Sequence, residues 1–251
     1  MLKVEKIVTP SPEQWEIIIE GMRNPKNSWD RMDSYTTYIE DPETLETASY
    51  EFFMGDKDLE LAENLAGGGP VHGKFRRMIP VYMTINAPLY WWKEFDTYKI
   101  GTVCNSCSTM HKIHAKEFAI EDFSWDHIMG GYGEDVPFLA DPNDPQNAFT
   151  PENICALTVN MLNACRLKYL EAKTKPMKEE AKRAGLVKDY WWQMIQLLPS
   201  SYNQKRTIML NYEVLANIYR WRKDHKLDEW KTLCKEIEKL PYSELITGEK
   251  V

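Results

Sequence analysis

The run RRMIPVYMTINAPLYWWKEFDTYKIG, residues 76–101, changes its hydrophobic period in the middle. Ile79, Val81, Met83 and Ile85 alternate with Tyr82 and Thr84, the pattern of a strand with one buried face. Pro80 has no N–H to donate and suits the start or edge of such a strand. Pro88 has a fixed φ suited to the first turn of a helix, so PLYWWKEFDTY should leave the strand as a helix and end in a polar loop.

On the N-terminal side, Ser11-Pro12 is a cap-and-first-turn pair, and Trp15, Ile18, Ile19 and Met22 recur at helical spacing. Residues 25–40 read as loop. DPETLETASYEFF, residues 41–53, reads as a helix because of its Asp-Pro start. DKDLELAENLAGGGP reads as a short helix stopped by glycines. On the C-terminal side, STMHKIHAKEF should resume helix, and residues 129–151, rich in Pro and Gly, form a long surface excursion. The last hundred residues read as a helical bundle. Thr150 caps a helix whose stripe Ile154, Leu157, Met161, Ala164 and Tyr169 is expected to be buried. Gly185 is a break, and residues 203–222 belong to the bundle. No repeat or linker divides the chain, so residues 1–251 are read as one domain.

Composition restricts the function. A net charge of −7 argues against a nucleic acid polymer as partner, although a small anion needs only a few local cations. Lys74, Arg76 and Arg77 are the densest such group, if they are not simply a solvated turn. Nine Trp and thirteen Tyr supply flat faces for a planar ligand as well as core. Five cysteines make no even disulfide set, and no apolar run reaches membrane-span length. With no apolar leader visible, the reading is a cytoplasmic protein with reduced thiols and no membrane contact.

KIGTVCNSCSTMHKIH, residues 99–114, holds Cys104, Cys107, His111 and His114, all zinc-ligand types. Only three residues separate Cys107 from His111, too few for two chain segments to approach one ion from opposite sides. The favoured reading assigns no metal. The bland alternative is two buried cysteines beside a solvent-facing histidine pair.

From MTINAPLYWWKEFDTYKIG onward the sequence resembles the flavin-dependent thymidylate synthases. In that family a strand ends in Ala-Pro, and the helix that follows reaches an R-H-R motif. Those positions fall here on Thr97, Tyr98 and Lys99, and an N-x-x-S element on Asn105 and Ser108. Toward the C-terminus, Leu198-Pro199 precedes Asn211, Asn217 and Arg222 at the family's offsets, and Glu229-Trp230 resembles the segment after them. Three family arginines are replaced, by Met110, Ile195 and Glu213. The resemblance covers roughly residues 75–112 and 155–240 and marks a divergent branch.

The resemblance implies an α+β fold, a small twisted sheet packed with a predominantly helical C-terminal half. It implies FAD as cofactor, methylenetetrahydrofolate as cosubstrate, NADPH as a candidate reductant and a homotetramer with shared flavin sites. The activity implied is methyl transfer to a pyrimidine nucleotide, with dUMP to dTMP as default. The flavin carries the hydride, so no catalytic side chain is assigned. Tyr98, Lys99, Asn105, Asn211 and Asn217 are expected at the cofactor. Ser106, Ser108, Thr109, His111 and Arg222 are expected at the substrate, with Arg76 and Arg77 supplying charge lost elsewhere. Asn211 and Arg222, eleven apart, are expected on one helical face. Three alternatives stay open: a synthase for a modified pyrimidine such as a hydroxymethyl derivative, a nucleotide-binding regulator on the same scaffold, and a zinc-stapled interaction module.

Overall fold

A computed structural model of the protein describes residues 1–40, 47–131, 133–141, 144–174 and 180–248. They fall into two compact units. One is built from Leu2–Asn86, Phe95–Asn105 and the chain from Lys205 onward, the other from Met1, Ala87–Glu94 and Ser106–Gln204.

The first unit carries a four-stranded sheet in the order β1 (Lys3–Val8), β4 (Pro80–Pro88), β8 (Asn203–Asn211), β5 (Val103–Ser106). β1 and β4 are antiparallel, pairing Val4 with Ile85 and Ile7 with Met83. The alternation read from the sequence holds: Ile79, Val81, Met83 and Ile85 are buried and Tyr82 is exposed. Helix α1 (Pro12–Arg23) begins with a capping box in which Ser11 and Gln14 satisfy each other's backbone N–H. It buries Trp15, Ile18, Ile19 and Met22. Trp15 stacks on Phe52 at 5.8 Å and meets Tyr212 and Tyr242 edge-on. Helices α7 (Tyr212–Arg222) and α8 (Asp228–Ile237) pack together, burying Leu215, Ile218, Trp230, Leu233 and Ile237.

Two elements of this unit differ from the sequence reading. The expected loop at 25–40 and helix at 41–53 give way to a hairpin of β2 (Tyr35–Glu40) and β3 (Thr47–Phe53); residues 41–46 lie outside the described residues. β-branched and aromatic side chains dominate both strands, and the cross-strand pairs Tyr35–Phe53 and Tyr38–Tyr50 meet at 5.7 and 5.3 Å. Such pairs outweigh the helix-start signal of Asp41-Pro42. Residues 203–211 are likewise strand, not helix. Gln204, Ile208 and Leu210 are buried on one side of β8, a two-residue period that the helical residues on either side obscure.

A buried ion pair fixes the start of helix α2 (Asp56–Gly67). Asp58 is fully buried and pairs with buried Arg23. It also accepts from Asp33 N at 2.9 Å, Ser34 N at 2.8 Å and Ser34 Oγ at 2.7 Å. Burial raises its pKa, but the bonds from Ser34, Asp33 and Arg23 outweigh that and hold it below the ordinary carboxylate range. Asp33 in turn caps the helix, accepting from Lys57 N and Asp58 N at 3.1 and 3.0 Å.

The second unit is built on α5 (Pro151–Thr174) and α6 (Glu180–Leu197). Val159, Leu162 and Tyr169 of α5 join Ile113, Phe118, Phe123 and Met194 in its core. The expected stripe is corrected here: Ile154, Leu157 and Met161 are 45%, 48% and 55% exposed. The helix is apolar on two faces, and the core uses the other one. Thr150 does cap α5, its hydroxyl accepting from Asn153 N at 3.3 Å. Gly185 lies inside continuous α6 and breaks nothing; one helical glycine costs only about 1 kcal/mol. STMHKIHAKEF supplies a single turn, α4 (Thr109–Lys112), not a full helix. The excursion at 129–151 contains a small hairpin, β6 (Leu139–Asp141) with β7 (Asp144–Phe149), pairing Leu139 with Phe149. Helix α3 (Leu89–Phe95) follows Pro88 as read, and its first N–H groups donate to Tyr202 O and Ser200 O at 3.0 and 2.9 Å.

Two outcomes follow. Removing one partner of a buried ion pair strands the other charge. Asp58→Ala should therefore lower unfolding free energy by about 3–5 kcal/mol in urea titration; an unchanged midpoint would contradict the role given to Asp58. In the second unit, His114 Nδ1 is buried without a hydrogen-bond partner and its ring lies 4.6 Å from Tyr169. Burial lowers its pKa below the ordinary 6.5, helped by Lys173, Lys112 and Arg166. The unfolded chain then binds the proton more readily, so His114 favours folding above pH 6.5 and that contribution is lost as pH falls below it. Melting curves from pH 7.5 down to 5.5 should show His114→Phe less acid-sensitive than the parent chain.

Candidate functional site

Helix α7 builds the site. Asn211 caps it, its Oδ1 accepting from Val214 N at 3.1 Å. Val214, Leu215, Ile218 and Tyr219 turn inward, while Glu213, Ala216, Asn217 and Arg220 form the opposite face. That face lines a cleft of about 500 Å³, within the roughly 300–1,000 Å³ typical of small-molecule sites. Thr97, Tyr98, Lys99 and Ile100 form a second wall, and Ala66, Gly67 and Arg76 also line it. Gly101 makes the close approach possible. Its φ is +75°, and a Cβ there would lie 3.1 Å from both Asn211 Nδ2 and Val214 Cγ2.

Arg222 ends the helix and holds the second wall. Its Nε donates to the Tyr98 hydroxyl at 3.0 Å, and its guanidinium lies 4.6 Å from the ring centre of fully buried Trp230. Trp230 also meets Tyr98 edge-on at 5.9 Å and stacks on Phe95. Arg222 therefore positions Tyr98. Asn211 is a cap ahead of the helix rather than a partner of Arg222 on one helical face, because residues 203–211 are strand.

The cleft is rich in cations. Arg76 donates to Leu245 O at 3.1 Å. Burial lowers its pKa, Glu213 opposes that and Arg220 adds to it, so two guanidinium groups share one wall. Arg77 makes a two-pronged ion pair with Glu213, one bond at 3.0 Å. Its charge is spent on that carboxylate, which also raises its pKa. A second hollow of about 370 Å³ shares Arg76, Arg220 and Ala216 with the cleft and adds Lys223, Glu63 and Glu244. The two form one groove along α7.

Of the residues singled out in the sequence, Arg76, Tyr98, Lys99 and Asn217 meet in this cleft, with Arg222 and Asn211 supporting its walls and Arg77 bound to Glu213. Asn105 is exposed on β5. Ser106, Ser108, Thr109 and His111 belong to the other unit. There, Thr109 Oγ1 accepts from Gln204 Nε2 at 2.7 Å, and Ser108 precedes α4 without a side-chain cap bond. Cys104 and Cys107 are both exposed, not buried. Among the described residues no group of three or more His, Cys, Asp or Glu is placed to hold a metal, and no helix is long and apolar enough to cross a membrane. Sequence reading missed Arg220. It stands three and seven residues from Asn217 and Glu213, the spacing of one helical face, and that signal was available once α7 was given its true start.

The comparisons with known proteins concern architecture. No protein-family model matches the sequence, and no curated protein is similar to it in sequence. The structure is similar to thymidylate synthase X of Helicobacter pylori with FAD and dUMP, at 16% identity over 98% of this chain and 97% of that one, TM-score 0.57. A second structure of that enzyme, also complexed with FAD and dUMP, gives 15% identity over 98% of both chains and a TM-score of 0.55. The UMP/dUMP methylase PolB of Streptomyces cacaoi, bound with 5-Br dUMP, gives 11% identity over 95% and 88% of the two chains, TM-score 0.52. The chain has the α+β fold of the flavin-dependent thymidylate synthases.

Proposed function

We propose that the protein carries out flavin-dependent one-carbon transfer to a pyrimidine nucleotide, with dUMP to dTMP as the default reaction. FAD would be the cofactor, methylenetetrahydrofolate the carbon donor and NADPH the reductant. The observation that carries the reading is the cleft itself: residues 97–100 and the exposed face of α7, far apart in sequence, line one hollow rich in cations. The neighbours in fold were solved with FAD and dUMP or with 5-Br dUMP, which supports the same ligand classes here.

The residues present fit an anionic, planar cofactor. Arg76, Arg220 and Lys99 offer charge, Asn217 an amide and Tyr98 an aromatic face, against one carboxylate already bound to Arg77. When bound, reduced FAD supplies the hydride. The chain's part is to bind and orient. Arg76 and Arg220 take the anionic groups, since guanidinium forks match phosphate oxygens. Tyr98, held by Arg222, sets one wall, and Asn217 reads a polar edge. The remaining contacts implied by the resemblance are proposed as they stand there, Asn105 on the cofactor and Ser106, Ser108, Thr109 and His111 on the nucleotide.

The homotetramer is part of the same proposal. The exposed stripe Ile154, Leu157 and Met161 on α5 supports a helix-to-helix contact between copies. One observation favours a second reading, a nucleotide-binding protein that has lost turnover: Glu213 puts a carboxylate in the cleft where the resemblance places an arginine.

The purified chain should gain flavin absorbance on addition of FAD, and dUMP with the folate donor should then yield dTMP. Flavin binding without product, or a colourless chain indifferent to FAD yet stabilised by dUMP, would select the second reading; a chain indifferent to both ligands would end both. Arg220→Ala removes a charge-assisted contact worth about 1.5–3 kcal/mol. FAD or dUMP should bind tenfold or more weakly by calorimetry, with the melting temperature unchanged. Leu157→Glu with Met161→Glu should lower the mass in light scattering; a parent chain that is already monomeric would remove the shared-site part of the proposal.

A further inference from the structure

A second basic hollow lies apart from the α7 groove and shares no lining residue with it. It has a volume of about 360 Å³ and is formed where the end of α1 meets the first turns of α2. Arg23, Lys26, Arg31 and Lys57 line it, against a single lining carboxylate, Glu60. In a chain of net charge −7 this is a local reversal of sign. Even with Asp58 counted against Arg23, the hollow stays positive.

Arg23 makes it more than a patch of surface charge. The residue is 3% exposed, and Asp58 holds its Nε from behind. Its Nη1 donates to Ser28 O and Ser28 Oγ, each at 3.3 Å. Among the described residues Nη2 makes no hydrogen bond, although the guanidinium lines the hollow. A buried arginine oriented by a carboxylate, with one nitrogen unused, is a preformed donor for an oxyanion. Lys26, Arg31 and Lys57 are exposed on the rim and form no ion pair among the described residues. Lys57 also stands in the first turn of α2, where the helix dipole disfavours a cation; an anion in the hollow would relieve that cost.

The lining also says what the ligand lacks. Leu61 is the one apolar side chain, and no aromatic ring is present to stack a base. The donors are spread around a space larger than one tetrahedral oxyanion needs. We infer that this hollow binds an oligophosphate, two or more linked phosphate groups, which reaches it either as an inorganic chain or as the tail of a nucleoside triphosphate. Arg23 would grip the innermost phosphate, and Lys26, Arg31 and Lys57 the outer ones. The site stands on the far part of the helix whose other end, at Ala66 and Gly67, lines the α7 cleft.

The test uses the full chain, without divalent metal, at fixed ionic strength. Sodium tripolyphosphate should raise the melting temperature saturably, where sodium sulfate at equal ionic strength does not. In the exposed double variant Arg31→Gln/Lys57→Gln, whose own melting temperature should be no lower than the parent's because Lys57 opposes the helix dipole, half-saturation should need at least tenfold more tripolyphosphate. Saturating FAD and dUMP should leave that titration unmoved. Tighter binding of dTTP or ATP than of tripolyphosphate would assign the nucleotide source, and equal or weaker binding the inorganic one. Undiminished stabilisation in the double variant, an equal effect of sulfate, or displacement by FAD would each overturn the inference.

Discussion

The groove along α7 depends on the contact among Arg222, Tyr98 and Trp230. Trp230 is fully buried on α8, so its ring is a fixed platform. The guanidinium of Arg222 lies 4.6 Å from that ring and ties down Tyr98 by a 3.0 Å hydrogen bond. A cation over an aromatic face contributes about 0.5–1 kcal/mol when exposed and about 2 or more when desolvated. The contact's larger effect is geometric. It holds the segment after α3 against the end of α7, and Gly101 lets the two backbones come close enough to enclose a cleft. In the folded chain Arg222 acts as a strut for Tyr98, an aromatic residue of the cleft wall.

Charge in this protein is arranged locally. The chain is acidic overall, yet Arg76, Lys99, Arg220 and Lys223 line one groove and Arg23, Lys26, Arg31 and Lys57 another hollow. Arg77 shows why cation counts from sequence mislead. It is adjacent to Arg76, but its two-pronged bond to Glu213 neutralises it, whereas Arg76 is half-buried in the groove wall and pushed downward in pKa by its surroundings. The Arg77–Glu213 pair also changes what the cleft can accept. A carboxylate near two guanidinium groups limits how much negative charge binds favourably there, and it offers acceptors to ligand hydroxyls.

Helix α5 carries two apolar faces with different fates. Val159, Leu162 and Tyr169 fill the core of their unit, and Ile154, Leu157 and Met161 are left in solvent. A stripe of this kind on a long helix is more apolar than solubility requires. The hairpin of β2 and β3 makes the opposite point about short-range signals. Tyr35, Tyr38, Tyr50 and Phe53 gain more from facing one another across two strands than a helix cap at Asp41-Pro42 could supply.

Elements whose signals are local could be read from the order of amino acids. The alternation of Ile79, Val81, Met83 and Ile85, the helix start at Pro88, the capping box at Ser11 and the order of motifs from Ala87 to Trp230 were legible because each depends on neighbours a few residues away. They were enough for the α+β fold and for Tyr98, Lys99, Asn217 and Arg76 as cleft residues. Tertiary structure alone decided that residues 203–211 are strand, since a lone period-2 segment becomes a strand only when β4 and β5 lie beside it. It alone decided which apolar face of α5 is buried, that Arg77 belongs to Glu213, and that Arg222 supports Tyr98. It also brought Arg23 to the floor of a hollow beside Lys57. Those outcomes depend on contacts between residues far apart in the chain, whose energies exist only once the backbone has brought them within a few ångströms.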